Sequence, residues 1–123
     1  MSTPRQLVAD VLNAKLPNGT RVEPYAHDLD TITRDTVMLR IDEVTPHREL
    51  PRSHRNYRYT VIVLVPVNRK GSADDRLDAL LEDVLHALDS TDLPSWSKVE
   101  RGVWLNTTTP AYEVALDVPF SKE

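Results

Sequence analysis

The chain has 123 residues, a formal net charge of −4 and no cysteine. That length predicts one domain, residues 1–123, and the missing cysteines exclude disulfides and thiolate metal sites. The acidic balance argues against a dedicated nucleic-acid binder, which usually carries a strongly basic domain. The longest apolar run, VIVLVPV at 61–67, is too short to span a bilayer, and the N-terminus lacks a signal-peptide core. We therefore expect a soluble protein that is made inside the cell.

The first half of the chain predicts one helix followed by two strands. Ser2 or Thr3 can cap the helix, and the PNG at 17–19 ends it. A short edge strand follows in RVEPY at 21–25, because the proline within it excludes a central position. In TVMLRIDEV at 36–44, apolar residues alternate with other residues, as in a half-buried strand.

The second half predicts the central strand, a second helix and a closing hairpin. NYRYTVIVLVPV at 56–67 is apolar on both faces, so we place it in the middle of the sheet. The hairpin consists of WSKVERGVWLN at 96–106 and AYEVALDV at 111–118. The second helix lies between the central strand and the hairpin in the chain. It carries a continuous apolar stripe, made of Leu77, Leu80, Leu81, Val84, Leu85 and Leu88.

The element order is therefore helix, strand, strand, strand, helix, strand, strand. Strands joined by short loops favour a mostly antiparallel sheet, and two amphipathic helices can cover one of its faces. The predicted fold class is α+β. We expect Leu81, Val84 and Leu88 to pack against Val61, Val63 and Val65 of the central strand.

No catalytic, metal or cofactor site is predicted. The four histidines, at 27, 47, 54 and 86, have no zinc spacing, and Asp28 and Asp30 beside His27 fit a solvated turn better than a metal site. Three glycines are too few for a phosphate-binding loop. Trp96 and Trp104 are predicted to be core or interface anchors.

Two segments of opposite charge stand out. The segment HRELPRSHRNYR at 47–58 has four arginines against one acid, and the second helix region, 74–92, has seven acids against Arg76. Each is usually just solvated surface. Together they suggest that the basic segment of one subunit meets the acidic stripe of the next, a heterologous contact that produces rings or filaments. The candidate interface residues are Arg48, Arg52, Arg55 and Arg58 in the basic segment, and Asp75, Asp78, Glu82 and Asp89 in the stripe.

Several segments, in this order, resemble the tail terminator family of long-tailed bacteriophages. LVADVLNAKLPNGTRVEPYAHDLDTITRDTVMLRID is similar to the opening helix and strands of that family. YRYTVIVLVPV with SADDRLDALLEDVLHALD is similar to its central strand and leucine helix, and WSKVERGVWLNTTTPAYEVALDV to its closing hairpin. Such proteins are often called minor tail proteins, and the likeness is greatest to those of phages that infect actinobacteria.

The resemblance implies a non-enzymatic virion protein without cofactors. Members form a hexameric ring that caps the tail tube, stops its polymerisation and joins the tail to the head. The implied partners of this chain are further copies of itself, the tail tube protein, and a head-completion or connector protein. DNA is implied only as the genome that passes through the ring. The implied location is the neck of the phage tail, assembled in the host cytoplasm. The alternatives are a head-tail completion (neck) protein of related architecture and a small enzyme or ligand-binding α+β domain.

Overall fold

The computed structural model describes residues 3–25, 34–46, 54–66, 73–91, 94–104 and 109–121. Within them lie two helices and five strands in the predicted order, so the α+β class is confirmed. The elements are α1 (Pro4–Lys15), β1 (Arg21–Glu23), β2 (Thr36–Pro46), β3 (His54–Leu64), α2 (Ala73–Asp89), β4 (Ser95–Trp104) and β5 (Thr109–Ser121).

The strands form one sheet in the order β1-β2-β3-β5-β4. β1 runs parallel to β2, and every other pair is antiparallel. β3 is the central strand, as its two apolar faces predicted. β1 is short and lies at the edge, as the proline after it predicted.

The ends of α1 follow from local chemistry. The Thr3 hydroxyl accepts a hydrogen bond from the Gln6 amide at 3.2 Å, which makes Thr3 the predicted N-cap. Gly19, in the turn after the helix, has a φ of +92°, a conformation that glycine adopts without steric strain. In the sequence, Ser72 is placed to cap α2, and it lies outside the described residues. Neither of the two described helices is long and apolar enough to cross a membrane.

Both helices pack on the same face of the sheet. Leu12 of α1 and Leu77, Val84 and Leu88 of α2 are buried there. Leu81, predicted to be buried with Val84 and Leu88, is only partly buried, although it packs against this core. The face of the sheet beneath them is continuous and apolar: Val37, Leu39, Tyr59, Val61, Val63, Val65, Val114, Leu116 and Val118.

The other face of the sheet is divided along its length. At one end Met38, Ile62, Leu64 and Ala111 form a second, small buried cluster, so residues 61–64 at the C-terminal end of β3 are buried on both faces. From Thr60 back toward the start of β3, this face carries polar and charged side chains, among them Arg58 and Asn56.

A bulge changes the phase of β2. The register with β3 shifts between Ile41 and Glu43, so Ile41 lies opposite Tyr59 and Val44 lies opposite Tyr57. Because Tyr57 and Tyr59 share the helix-side face, Ile41 and Val44 share it too, although residues three apart on a regular strand point to opposite faces.

Candidate functional site

Part of the basic segment belongs to a strand. Residues 47–53, with Arg48 and Arg52, lie outside the described residues, whereas Arg55 and Arg58 belong to β3. The strand therefore begins two residues before the predicted strand, 56–67. Arg55 lies opposite Phe120 and Arg58 opposite Asp117 in the register with β5. Since side chains alternate along a strand, these two arginines project from opposite faces of the sheet.

Arg58 has acidic neighbours on the two adjacent strands. Its Nε donates to Asp117 Oδ1 at 3.3 Å, and its Nη1 donates to Glu43 Oε2 at 3.5 Å. The side chain stays 53% exposed, so these ion pairs are screened by water and leave it accessible. Arg55 is exposed and has no hydrogen-bond or ion-pair partner in the described part of the chain.

The four acids of the predicted stripe are all exposed on α2, but two of them have partners. Asp78 accepts a hydrogen bond from the Tyr112 hydroxyl at 2.6 Å, and Asp89 accepts one from Trp96 Nε1 at 3.0 Å. Asp75 and Glu82 have none among the residues that the structure describes. The stripe therefore contains two acids held against the sheet and two that remain available.

The hydrogen bond to Asp78 has an electrostatic consequence for Tyr112. A carboxylate that accepts a hydrogen bond from a phenol stabilises the protonated phenol. This hydrogen bond, with a smaller contribution from burial, raises the pKa of Tyr112. Arg101 lies over the ring at 5.2 Å from its centroid and opposes the shift. Sequence reasoning missed this contact because the two residues lie 34 positions apart on different elements.

The charged face of the sheet holds a network centred on Arg40. Its Nε donates to Asp42 at 2.9 Å, its Nη2 to the Thr60 hydroxyl at 3.2 Å and its Nη1 to Glu113 at 3.5 Å. Thr60 in turn donates to Asp42. The groove over this network has a volume of about 430 Å³, and no histidine is among its described lining residues.

This network is better suited to structure than to catalysis. The Thr60 hydroxyl already donates to a carboxylate, and the arginine beside it always carries a proton. Lys98 on the rim is paired with Glu100 at 2.8 Å, and that bond lowers the pKa of Glu100. Among the described residues that line the groove, no nucleophile contacts a histidine base.

No group of three or more potential metal ligands occurs in the described ranges. His27, Asp28 and Asp30 lie outside them. The absence of a bound metal therefore stays a prediction, which elemental analysis of protein purified without chelator tests. Trp96, predicted to be an anchor, is partly buried against the core.

Of the comparisons with known proteins, the one with solved structures finds matches. No protein-family model matches the chain, and no curated protein matches it. A solved structure does match: the sheath/tube terminator, in the extended state, of an extracellular contractile injection system named PVC. The alignment covers 100% of this chain and 57% of that chain, with a TM-score of 0.55 and 13% sequence identity.

At 13% identity the match shows a shared fold. It extends over the whole of this chain, which spans little more than half of the terminator's length. The resemblance to tail terminators seen in the sequence is therefore supported at the level of the fold, since a protein described as a sheath/tube terminator has the same architecture.

Proposed function

We propose that this protein is a tail terminator. In this proposal it forms one domain that assembles into a hexameric ring, caps the tail tube, stops its polymerisation and provides the surface that joins tail to head. It acts as a structural protein rather than an enzyme and needs no cofactor. Its place is the neck of a phage tail, of the type found in phages of actinobacteria.

The observation that carries the proposal is the fold match to a sheath/tube terminator over 100% of the chain. Fold alone does not determine function, because one architecture often serves several. Two further features support this particular role. The described surface has no catalytic constellation, and it exposes charged groups that have no partner among the described residues and are available to further copies of the chain.

The proposed partners follow from this role. Copies of the chain meet each other around the ring, one side of the ring contacts the tail tube protein, and the other contacts a head-completion or connector protein. DNA is present only as the genome that passes through the ring.

The charge pairing between subunits is part of the proposal. The basic segment of one copy, with Arg48, Arg52, Arg55 and Arg58, meets the stripe Asp75, Asp78, Glu82 and Asp89 of the next. Among the described residues, Asp75 and Glu82 are the acids of that stripe without a partner, and Arg55 is an arginine without one. Such exposed pairs contribute about 0.2–1 kcal/mol each, so they select register and partner more than they supply affinity.

Native mass spectrometry across a range of concentrations tests the ring directly. We expect a species of six subunits, and negative-stain images of that species should show a ring with a central opening. A protein that stays monomeric at every concentration, or that forms an isologous dimer, contradicts the proposal.

Charge reversal tests the pairing. Arg48→Glu, Arg52→Glu and Arg55→Glu together should leave the monomer folded and weaken the ring at physiological salt. Reversing Asp75, Asp78, Glu82 and Asp89 to Lys in the same chain should restore part of the assembly. If the arginine reversal has no effect on assembly, or the second reversal restores nothing, the pairing is wrong.

Deletion of the gene from the genome that carries it separates the two neck roles. Loss of a terminator should give tail tubes of uncontrolled length together with heads that lack tails. Loss of a head-tail completion protein should give tails of normal length that fail to join heads, and this result would favour that alternative.

A further inference from the structure

Three strands of the sheet extend beyond the ends of β1 and β4. β4 begins at Ser95, which lies opposite Asp117 of β5, so β5 continues from 118 to 121 with β3 as its only described partner strand. On the other side of β3, β2 continues from 44 to 46. We call this three-stranded extension, residues 44–46, 54–57 and 118–121, the arm.

The base of the arm carries an apolar patch on its helix-side face. Ile41 is 42% exposed and Val44 is 44% exposed, and Tyr57 and Phe120 are half-buried beside them. The Tyr57 and Phe120 rings meet edge to face at 6.1 Å between centroids. We call these four residues the arm patch.

The bulge in β2 is what creates the patch. It shifts the register after Ile41, so Val44 faces the same side, whereas a regular strand would place one of the two on the charged face. Bulges often redirect a side chain next to a functional surface. Here the redirected side chain, Val44, is apolar and exposed. A bulge that served only the stability of the sheet would not need to expose an apolar side chain.

The edge of β2 is a less suitable docking surface than its face. Among the described residues, β1 covers β2 only from Thr36 to Met38. The remaining edge carries the bulge and ends at Pro46, two features that obstruct the addition of another strand. A partner therefore approaches the arm through its face.

The chemistry of α2 matches the arm patch. Leu81 and Leu85 are partly buried and border the acidic stripe, in which Asp75 and Glu82 have no partner among the described residues. On the arm, alternation places the exposed Arg55 on the same face as Tyr57. Each surface thus combines an apolar centre with charge at its border, and the two charges are opposite.

We propose that the arm patch of one copy docks on α2 of a second copy, with Arg55 meeting Asp75 and Glu82. The contact joins two different surfaces, so it repeats head to tail and closes into a ring when the rotation allows. This inference rests on the proposed ring and adds the surface that holds it: the apolar patch supplies affinity, and the charges set the register.

The absence of cysteine in the chain makes a sharp cross-linking test possible. Val44→Cys and Glu82→Cys are made separately, mixed, and treated with a short bismaleimide. The mixture should yield a dimer that joins the two different sites, and neither variant alone should cross-link. A chain with both substitutions should give a ladder of products up to the closed ring.

The matched control replaces Glu82→Cys with Lys15→Cys, which is exposed at the end of α1, and should give no cross-linked dimer with Val44→Cys. Cross-linking of the Val44→Cys variant to itself would mean an isologous contact and would overturn the inference.

A second measurement uses Ile41→Thr with Val44→Thr. We expect the concentration at half-assembly to rise by at least about tenfold, because both exposed apolar contacts are lost. Tyr25→Ser, which removes a 65% exposed aromatic outside the arm patch, should change it less than about twofold.

The outcomes separate this inference from the proposed function. A six-subunit species that forms without the cross-link, or that is unchanged by the threonine variant, overturns the docking and leaves the ring in place. If the wild-type chain shows no ring mass and the mixed Val44→Cys and Glu82→Cys variants give no cross-link, even at millimolar concentration, both are overturned.

Discussion

The two halves of β2 differ in burial, although they belong to one strand. From Thr36 to Leu39 every residue is buried, on both faces of the sheet, whereas from Arg40 to Pro46 none is. The first half is flanked by β1 and covered by the two apolar clusters. The second half lies next to the same neighbour, β3, and its apolar residues Ile41 and Val44 stay exposed.

This contrast separates stability from recognition along a single strand. In the buried half, side chains are fixed by packing, so changes there act on the free energy of unfolding. In the exposed half, Ile41 and Val44 contribute little to the monomer, and their apolar surface is available to a partner. The predictions below test this division, beginning with the largest effect.

Leu77→Ala should have the largest effect on the monomer. Leu77 is fully buried between α2 and the sheet, so its truncation leaves a cavity and should lower the free energy of unfolding by about 2–5 kcal/mol. Denaturant unfolding of the two proteins measures the difference. A change below about 0.5 kcal/mol would show that α2 does not pack on the sheet in this way.

Leu81→Ala, one turn further along the same helix, is the matched comparison. Leu81 is only partly buried, so we expect a smaller loss, about 1–2 kcal/mol, in the same unfolding measurement. The expected order, Leu77 above Leu81, distinguishes the observed orientation of α2 from one in which all six apolar residues of the stripe are equally buried. Equal losses at the two positions would contradict the observed orientation.

Periodicity was sufficient to predict the body of the fold. β3 is apolar on both faces over 61–65, and this feature alone identified the central strand. The spacing of Leu77, Val84 and Leu88 predicted which side of α2 faces the sheet. These signals are local and strong because each reflects burial of several neighbouring side chains.

The arm patch and the partners of the acidic stripe could not be predicted, because they depend on contacts between elements that a sequence pattern does not show. The alternation of Val37, Leu39 and Ile41 continues to the bulge, and nothing in the sequence marks where the register shifts. Asp78 and Asp89 looked equivalent to Asp75, but their partners, Tyr112 and Trp96, come from strands that follow α2 in the chain. That Arg55 and Arg58 project from opposite faces follows only from the observed start of β3 at His54, which places both residues in the strand.

Tyr112→Phe should have a small effect with a distinctive pH dependence. The bond from Tyr112 to Asp78 is exposed, so its loss should lower the free energy of unfolding by less than about 1 kcal/mol at neutral pH. The raised pKa of Tyr112 means that its contribution is complete below the unfolded pKa, about 10, and is lost as pH rises through the folded pKa.

Unfolding measured from neutral pH to above pH ~10 checks this sign. The wild type should lose stability at the alkaline end, and the Tyr112→Phe variant should lose less. The loss of stability that remains in the variant at high pH includes the titration of Tyr59, whose pKa is raised chiefly by burial. Tyr25→Phe removes an exposed phenol and is the control for the substitution itself. Identical slopes for the wild type and Tyr112→Phe would mean that the bond to Asp78 does not form in solution.

The smallest effect on the monomer is expected in the arm. Ile41→Thr with Val44→Thr keeps β-branching at both positions, so the preference for a strand is retained while apolar surface is removed. Both side chains are more than two-fifths exposed, and the free energy of unfolding should change by less than about 0.5 kcal/mol. Denaturant unfolding at a concentration where the protein is monomeric measures this. A loss comparable to that of Leu77→Ala would show that the arm patch is covered by the chain itself. A stable monomer that no longer assembles would instead place its contribution between subunits.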